Sequence, residues 1–347
     1  MTSSRQRLCL VSRPTGVAGP ASFQRRLAHG LEARGFAVSH DLRDDPFDAV
    51  LVIGGSRHLA GLAQARRRGA IIVQRLDGMN WIHRRRRTGL RHFLRAEANN
   101  LLLRVVRARL AQTVVYQSDF VRGWWERRHG PAPGRSAVIR NGVPLEIYSP
   151  HGRARERTDL VRLVVVEGAI GGGYEIGLDW AAALAGGVAE ARRTQVELMV
   201  AGRLPTQLPG SFKLPGSSSG VNFHWLGEVP PESVPELLRS GDLLYSADVH
   251  PACPNSVIES LACGLPVVAF DTGAVREIVD SESGAVVPYG GDPWKLDPPD
   301  LPALVRAAQE VLLAGERYHR GARRRAESAF GLDRMLDGYL AVLGWGA

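Results

Sequence analysis

Short apolar runs, each followed by a stretch with helical spacing, recur along this chain and begin again at residue 161. In the first half, 8–11, 49–53, 70–73, 114–116 and 137–139 read as strands, and 21–33, 59–68 and 119–128 as helices. Gly69 is the expected stop of one helix and Ser118 the expected N-cap of another. In the second half, strands are expected at 161–166, 196–201, 221–225, 243–246 and 267–270. Helices are expected there at 174–185, 234–238, 256–263, 302–313 and 317–342. Such alternation builds an α/β fold, because parallel neighbours need a crossover and helices then cover both sheet faces. The chain has 347 residues, more than one core usually holds, so two domains of about 150–200 residues each are predicted. The polar stretch 149–158 reads as the linker and 208–220 as a surface loop.

Residues 250–268, HPACPNSVIESLACGLPVV, carry a carboxylate between a polar turn and an apolar run. Pro254 suits a helix edge, and Asn255 is the expected cap of the helix that follows. The amides of Ser256, Val257 and Ile258 would then leave the helix start, where dipole and donors favour an anion. Glu259 falls one turn later on the face of Asn255, where it can accept two hydrogen bonds from a vicinal diol such as a ribose. A plainer reading is a glutamate that only complements the dipole. Val257 and Leu261 take the buried face, and Gly264 and Pro266 end the helix. Cys253 and Cys263 read as small packed residues. With Cys9 they show no metal-ligand spacing, as fits a reducing compartment.

CPNSVIESLACGLPVVAFDTGAVREIV resembles the signature of the family-4 retaining glycosyltransferases. VVYQSDFVRGWW with AVIRNGVPLEIYSP, and VELMVAGR with VNFHWLGEVPPESVPELLRSGDLLYSA, are similar to further parts of that family. The resemblance therefore spans nearly the whole chain. It implies the GT-B fold, two Rossmann-like domains facing across a cleft. Residues 1–150 would form the acceptor-side domain and 151–325 the nucleotide-sugar-binding domain, with 326–347 a helix packing back towards the first. It implies that Glu259 binds the donor ribose, and that the amides of Asn255, Ser256 and Val257 face the diphosphate and sugar. Gly16 and Gly19 match the glycine loop of the first domain. No metal or other cofactor is implied, the nucleotide diphosphate sugar being a substrate. Asp44-Asp45 is not read as a metal motif.

Two departures stand out. The family carries two glutamates eight apart, and the first falls on Pro251, leaving its neighbours His250 and Asp248 to take up its role. The family also places an arginine and then a lysine after the first strand of the second domain. Here VVVEGAIGGGYEIGLD has neither, and no Lys or Arg occurs between Arg162 and Arg192. A leaving nucleoside diphosphate needs its charge stabilised. The amides of Gly171, Gly172 and Gly173 are expected to make an anion nest, with Arg203 or Arg75 as the cation. In QRLDGMNW, at a strand end, Asp77 is the candidate for contact with the acceptor hydroxyl or transferring sugar, and a turn cap is its plainer reading. Arg75 would face the phosphates, and His83 has a weaker claim.

The net charge is +9, and Lys213 and Lys295 are the only lysines. Arginines crowd between residues 66 and 135, as in WIHRRRRTGLRHFLRAEANNLLLRVVRARL. That suits an anionic membrane surface or a lipid-linked acceptor, or simply a solvated helix face. Nucleic acid is not expected, since no helix-turn-helix or aromatic signature accompanies the charge. No apolar run reaches the roughly 20 residues of a membrane span, so a cytoplasmic protein, peripheral at the inner membrane face, is expected. The expected activity is a retaining hexosyltransfer from a nucleotide diphosphate sugar to a glycan, lipid-linked or small-molecule acceptor. The alternative is a catalytically weakened nucleotide-sugar-binding partner in a glycan-assembly complex.

Overall fold

A computed structural model describes residues 5–11, 16, 19–44, 46–152, 160–204 and 220–345. Asp45 and most of the expected linker and surface loop lie outside these. The chain divides into two compact units. Unit 1 holds residues 1–81, 89–142 and 332–347, and unit 2 holds 82–88 and 143–331.

Unit 1 runs β1 (Arg7–Val11), α1 (Gly19–Ala33), β2 (Ala37–Ser39), β3 (Ala49–Ile53), α2 (Leu59–Arg67), β4 (Ile71–Leu76), α3 (Leu90–Val105), β5 (Thr113–Tyr116), α4 (Asp119–His129) and β6 (Arg135–Val138). A π-helical turn, Val106–Leu110, continues α3. All strand pairs are parallel, in the order β2-β1-β3-β4-β5-β6. Every residue of β3 and β5 is buried, as expected of parallel strands covered on both faces. Ser118 caps α4, its hydroxyl accepting the Val121 amide at 3.2 Å.

Unit 2 repeats the plan with β7 (Val161–Ala169), α5 (Ile176–Arg192), β8 (Val196–Arg203), β9 (Val221–Gly227), α6 (Val234–Arg239), β10 (Leu243–Tyr245), α7 (Asn255–Ala262), β11 (Val267–Phe270), α8 (Val275–Ile278), β12 (Gly284–Val287), α9 (Leu301–Leu313) and α10 (Gly315–Ala329). Its parallel order is β12-β11-β10-β7-β8-β9. The order reverses between β7 and β10, and a crevice opens outside the strand ends at such a switch point.

The last helix, α11 (Leu332–Leu343), belongs to unit 1. It packs on α1, with the Tyr339 ring 5.4 Å from that of Phe23. A Cβ on Gly30 would come within 2.6 Å of Leu336. Arg34, just past the end of α1, pairs with both Asp333 and Asp337.

Several boundaries differ from expectation. The 317–342 stretch is two helices, broken where the Val143 amide donates to the Phe330 carbonyl and Val143 bridges Gly331. That pairing brings 143–150 into unit 2, so the first boundary lies at 142/143 rather than 150/151. The return to unit 1 falls at 331/332 rather than 325/326. Arg323 secures the arrangement, donating to the carbonyls of Leu145, Tyr148 and Ala262. Residues 82–88, within the arginine-rich stretch, form a separate segment grouped with unit 2.

Candidate functional site

The site in unit 2 is built at the carboxyl ends of β7, β10 and β11. The chain leaving β10 passes through Ser246–Pro254 and enters α7, whose N-cap position is Pro254. Asn255 is therefore the first helical residue and not the cap. The first intrahelical bond runs from the Ile258 amide to the Pro254 carbonyl, 3.3 Å. The amides of Asn255, Ser256 and Val257 precede it and head the helix. Residues 257–262 are all buried, so Glu259 is a carboxylate on the buried part of the helix, 7% exposed. A carboxylate is costly to bury unless polar partners surround it. Gly264 (φ 74°) ends the helix, and the Leu265 amide reaches back to the Ser260 carbonyl at 2.9 Å, the left-handed C-terminal turn that glycine permits.

Pro251 stands where a carboxylate was expected, and packing explains it. Its carbonyl accepts the Ala274 amide at 2.9 Å, and a Cβ on Gly273 would meet its ring at 2.5 Å. His250, at φ 62°, turns its ring onto Trp294, centroids 3.7 Å apart. Its Nδ1 accepts the Gly273 amide at 3.3 Å. Burial pushes its pKa down to about 4, against a weaker opposing pull from Asp292. A neutral ring that accepts at Nδ1 carries its proton at Nε2.

Glu167 and Asp248 meet across the β7–β10 switch point, a pair that sequence reasoning did not assemble. Glu167 accepts the amides of Ala247 and Asp248, and Asp248 that of Val249. Asp248 Oδ1 is screened from solvent and has no hydrogen-bond partner among the described residues. Both carboxyls line a cavity of about 170 Å³ with Ile170, Tyr174, Leu178 and Ala247. Burial raises both pKa values, and for Glu167 the neighbouring Asp248 charge adds to it. A pair of this kind holds one proton near neutrality. Glu167 was visible in sequence as an acid closing an apolar strand.

The glycine turn after β7 only partly matches the expected nest. Gly172 and Gly173 take positive φ, 67° and 110°, but the Gly173 amide already donates to Glu175 Oε2 at 2.8 Å. Gly171 and Gly172 remain as the nest candidates. Glu175 is 2% exposed and pairs with Arg86 at 3.6 Å. Arg86, from the 82–88 segment, also acts on the Asp179 carboxyl. It supplies unit 2 with a cation that no motif announced. Arg203 ends β8, exposed, and its carbonyl accepts the Ile170 amide at 2.8 Å. A Cβ on Gly177 would approach the Ala247 carbonyl to 2.3 Å, so glycine lets α5 start against the switch point.

Unit 1 holds the other candidates. Asp77 follows β4, its carbonyl accepting Trp125 Nε1 at 2.8 Å. Burial raises its carboxyl pKa and Arg75 opposes the rise. Arg75 does not reach outward as expected. It is 2% exposed, donates to Asn141 Oδ1 at 2.9 Å, and lies 3.8 Å over the Phe23 ring. It therefore positions the strand ends and Asp77 from within. The Gly16 carbonyl (φ 82°) accepts from Arg25 at 3.1 Å, and Gly19 opens α1. His83 is buried and grouped with unit 2.

Among the described residues, no group of three or more His, Cys, Asp or Glu is arranged to hold a metal ion. None of their helices is long and apolar enough to cross a membrane.

Residues 162–314, almost all of the second sheet with its helices, match the model of the family "Glycosyl transferases group 1". Over those residues the chain is similar to the group 1 glycosyltransferases. It is 30% identical over 230 residues to the D-inositol 3-phosphate glycosyltransferase of Geodermatophilus obscurus, covering 62% of this chain and 48% of that one. It is 26% identical over 129 residues to the 2-deoxystreptamine N-acetyl-D-glucosaminyltransferase of Streptomyces fradiae, covering 35% and 28%. The matches thus span less than half the length of these relatives. Sucrose-phosphate synthase from Thermosynechococcus elongatus superposes with a TM-score of 0.72 at 16% identity, covering 97% of this chain and 98% of that one. Anabaena HepE, solved in complex with UDP-glucose, superposes with a TM-score of 0.66 at 16% identity, covering 98% and 100%. The fold is GT-B, as in these solved structures.

Proposed function

We propose that this chain transfers a hexose, with retention of configuration, from a nucleotide diphosphate sugar to a glycan, lipid-linked or small-molecule acceptor. The observation that carries this reading is Glu259, a carboxylate buried one turn inside a helix headed by the amides of Asn255, Ser256 and Val257. A ribose diol on Glu259 places the adjoining diphosphate at those amides, where dipole and donors favour it. The solved likeness of HepE holds UDP-glucose, a donor of this class.

In this reading His250 Nε2–H donates to the donor sugar, taking the role of the carboxylate that Pro251 replaces. The Glu167–Asp248 pair holds its proton while the diphosphate is bound, limiting repulsion at the switch point. Gly171 and Gly172 offer amides to the phosphates, and Arg86 and Arg203 supply positive charge. The diphosphate leaves from the face that the acceptor enters, and the acceptor hydroxyl passes its proton to the leaving phosphate oxygen. Asp77 orients the acceptor or sugar, with Arg75 setting its position. Gly16 and Gly19 are the residues of unit 1 proposed to take part in donor binding. The proposed setting is the cytoplasm, in peripheral contact with an anionic inner membrane face.

The test is nucleotide release from a panel of UDP-, GDP- and dTDP-sugars, with and without an acceptor extract. Acceptor-dependent release from one donor supports transfer. Nucleotide binding without release across the panel would instead assign the chain as a weakened partner subunit.

A further inference from the structure

Helix α3 is apolar on two opposite sides. Its inner side carries Ala96 and Leu103, both buried, seven residues apart and so on one face. That side is fastened to the sheet ends. Gln74 Nε2 donates to the carbonyls of Gly54 and Leu103, at 2.8 and 3.1 Å. Asn80 and Asn100 exchange hydrogen bonds of 2.8 Å, the Asn80 amide to Asn100 Oδ1 and Asn100 Nδ2 to the Asn80 carbonyl. A Cβ on Gly55 would lie 3.2 Å from the Leu103 amide nitrogen, so the helix sits close on the end of β3.

The outer side is the unusual one. Leu90, Leu94 and Leu101 are 74%, 59% and 51% exposed, with Phe93 beside them. Their spacing, i, i+4 and i+11, puts them on one side of the helix, a ridge shared with Glu97, which falls between Leu94 and Leu101. Single exposed leucines need no explanation, but an aligned ridge does. Arg91, Arg95 and Arg104 are also exposed on this helix, against one acidic residue, Glu97. A helix with an outward apolar ridge, flanking arginines and little acid is built to lie in a lipid interface. The leucines enter the acyl boundary and the guanidinium groups meet phosphate headgroups.

We propose that the outer face of α3 docks unit 1 onto an anionic lipid bilayer. The charge pattern selects this occupant. A second copy of the chain would set like-charged arginines against each other, in a protein of net charge +9. Nucleic acid would satisfy the arginines and leave the leucines in water. The Asn80–Asn100 bonds tie this helix to the loop that begins at Asp77, so a docked α3 holds that loop at the membrane surface. The proposal rests on the preceding reading for its purpose, a lipid-linked acceptor, but vesicle binding itself needs no turnover.

The experiment is flotation of the full-length protein with phosphatidylcholine vesicles and with vesicles containing phosphatidylglycerol, without donor or acceptor. Binding is expected to the anionic vesicles, weakening as salt is raised. The triple variant Leu90→Ser, Leu94→Ser, Leu101→Ser is expected to lose more than about tenfold in partitioning, with nucleotide affinity unchanged. Arg91→Gln with Arg95→Gln and Arg104→Gln should remove the preference for anionic lipid and keep the residual binding. Absence of wild-type binding to anionic vesicles overturns the proposal, as does a leucine variant that binds equally well. A concentration-dependent dimer abolished by the leucine variant, with no vesicle binding, overturns it in favour of a second copy. If vesicle binding holds and donor turnover fails, the docking surface stands and the transferase reading falls.

Discussion

Glu167 and Asp248 stand together at the carboxyl ends of β7 and β10, and no cation is among the charges that govern either carboxyl. Both pKa values lie above their unfolded ones, so the native state binds protons more tightly than the unfolded chain. The sign follows: this pair stabilises most below the ordinary carboxylate range, and its contribution is lost as pH rises through neutrality. Glu167→Gln should therefore flatten the fall in thermal midpoint between about pH 5 and 8. It should also flatten the fall in nucleoside diphosphate affinity over the same range, since the ionised pair repels phosphate. Parallel pH profiles for wild type and variant, in melting or in calorimetric affinity, would remove the pair from the site.

Glu259→Gln keeps the shape of the side chain and removes its charge. For loss of a charge-assisted hydrogen bond, nucleotide binding should weaken by about 1.5–3 kcal/mol. Glu259→Ala should weaken it at least as much. Calorimetry with UDP and GDP gives the number, and unchanged affinity in both variants would withdraw the ribose assignment.

Arg86 stands 3.6 Å from Glu175, which is nearly fully buried while Arg86 is about a third exposed. Arg86→Gln strands the carboxylate. Discounting for solvent on the arginine, the expected loss of stability is about 1–2 kcal/mol. Glu175→Gln in the same chain should recover part of it, because the orphaned charge goes too. Denaturant melts of the single and double variants test this, and additivity would show that the pair is not coupled.

Gly177→Ala places a methyl 2.3 Å from the Ala247 carbonyl. Overpacking against backbone should cost about 1–3 kcal/mol, and the displaced start of α5 should open the 170 Å³ cavity and lower donor affinity. A variant as stable as wild type would mean that α5 shifts freely.

Much of the fold could be read locally. The strands of both sheets announced themselves as short apolar runs with glycine or polar stops, and Ser118 and Gly264 do what their chemistry predicts at helix ends. The elements that escaped were β2 and β12, short edge strands that exist because a neighbour pairs with them. The break at Phe330–Gly331 escaped for the same reason, since it depends on Val143, remote in sequence. In the candidate site, the α7 stretch was legible because its turn, helix start, carboxylate and glycine stop are contiguous. Arg75 was misjudged because burial beneath Phe23 and Asn141 is a tertiary fact.

By itself the sequence determined the α/β class, the doubling of the pattern and the stretch that heads α7, all of which rest on local periodicity and backbone chemistry. Only the tertiary structure decided that Glu167 meets Asp248, that Arg86 reaches Glu175, that Pro251 packs on Gly273, and that the leucines of α3 face outward. Those relationships join residues from separate strands and loops. Pairing register and packing set their distances, and no local spacing encodes either.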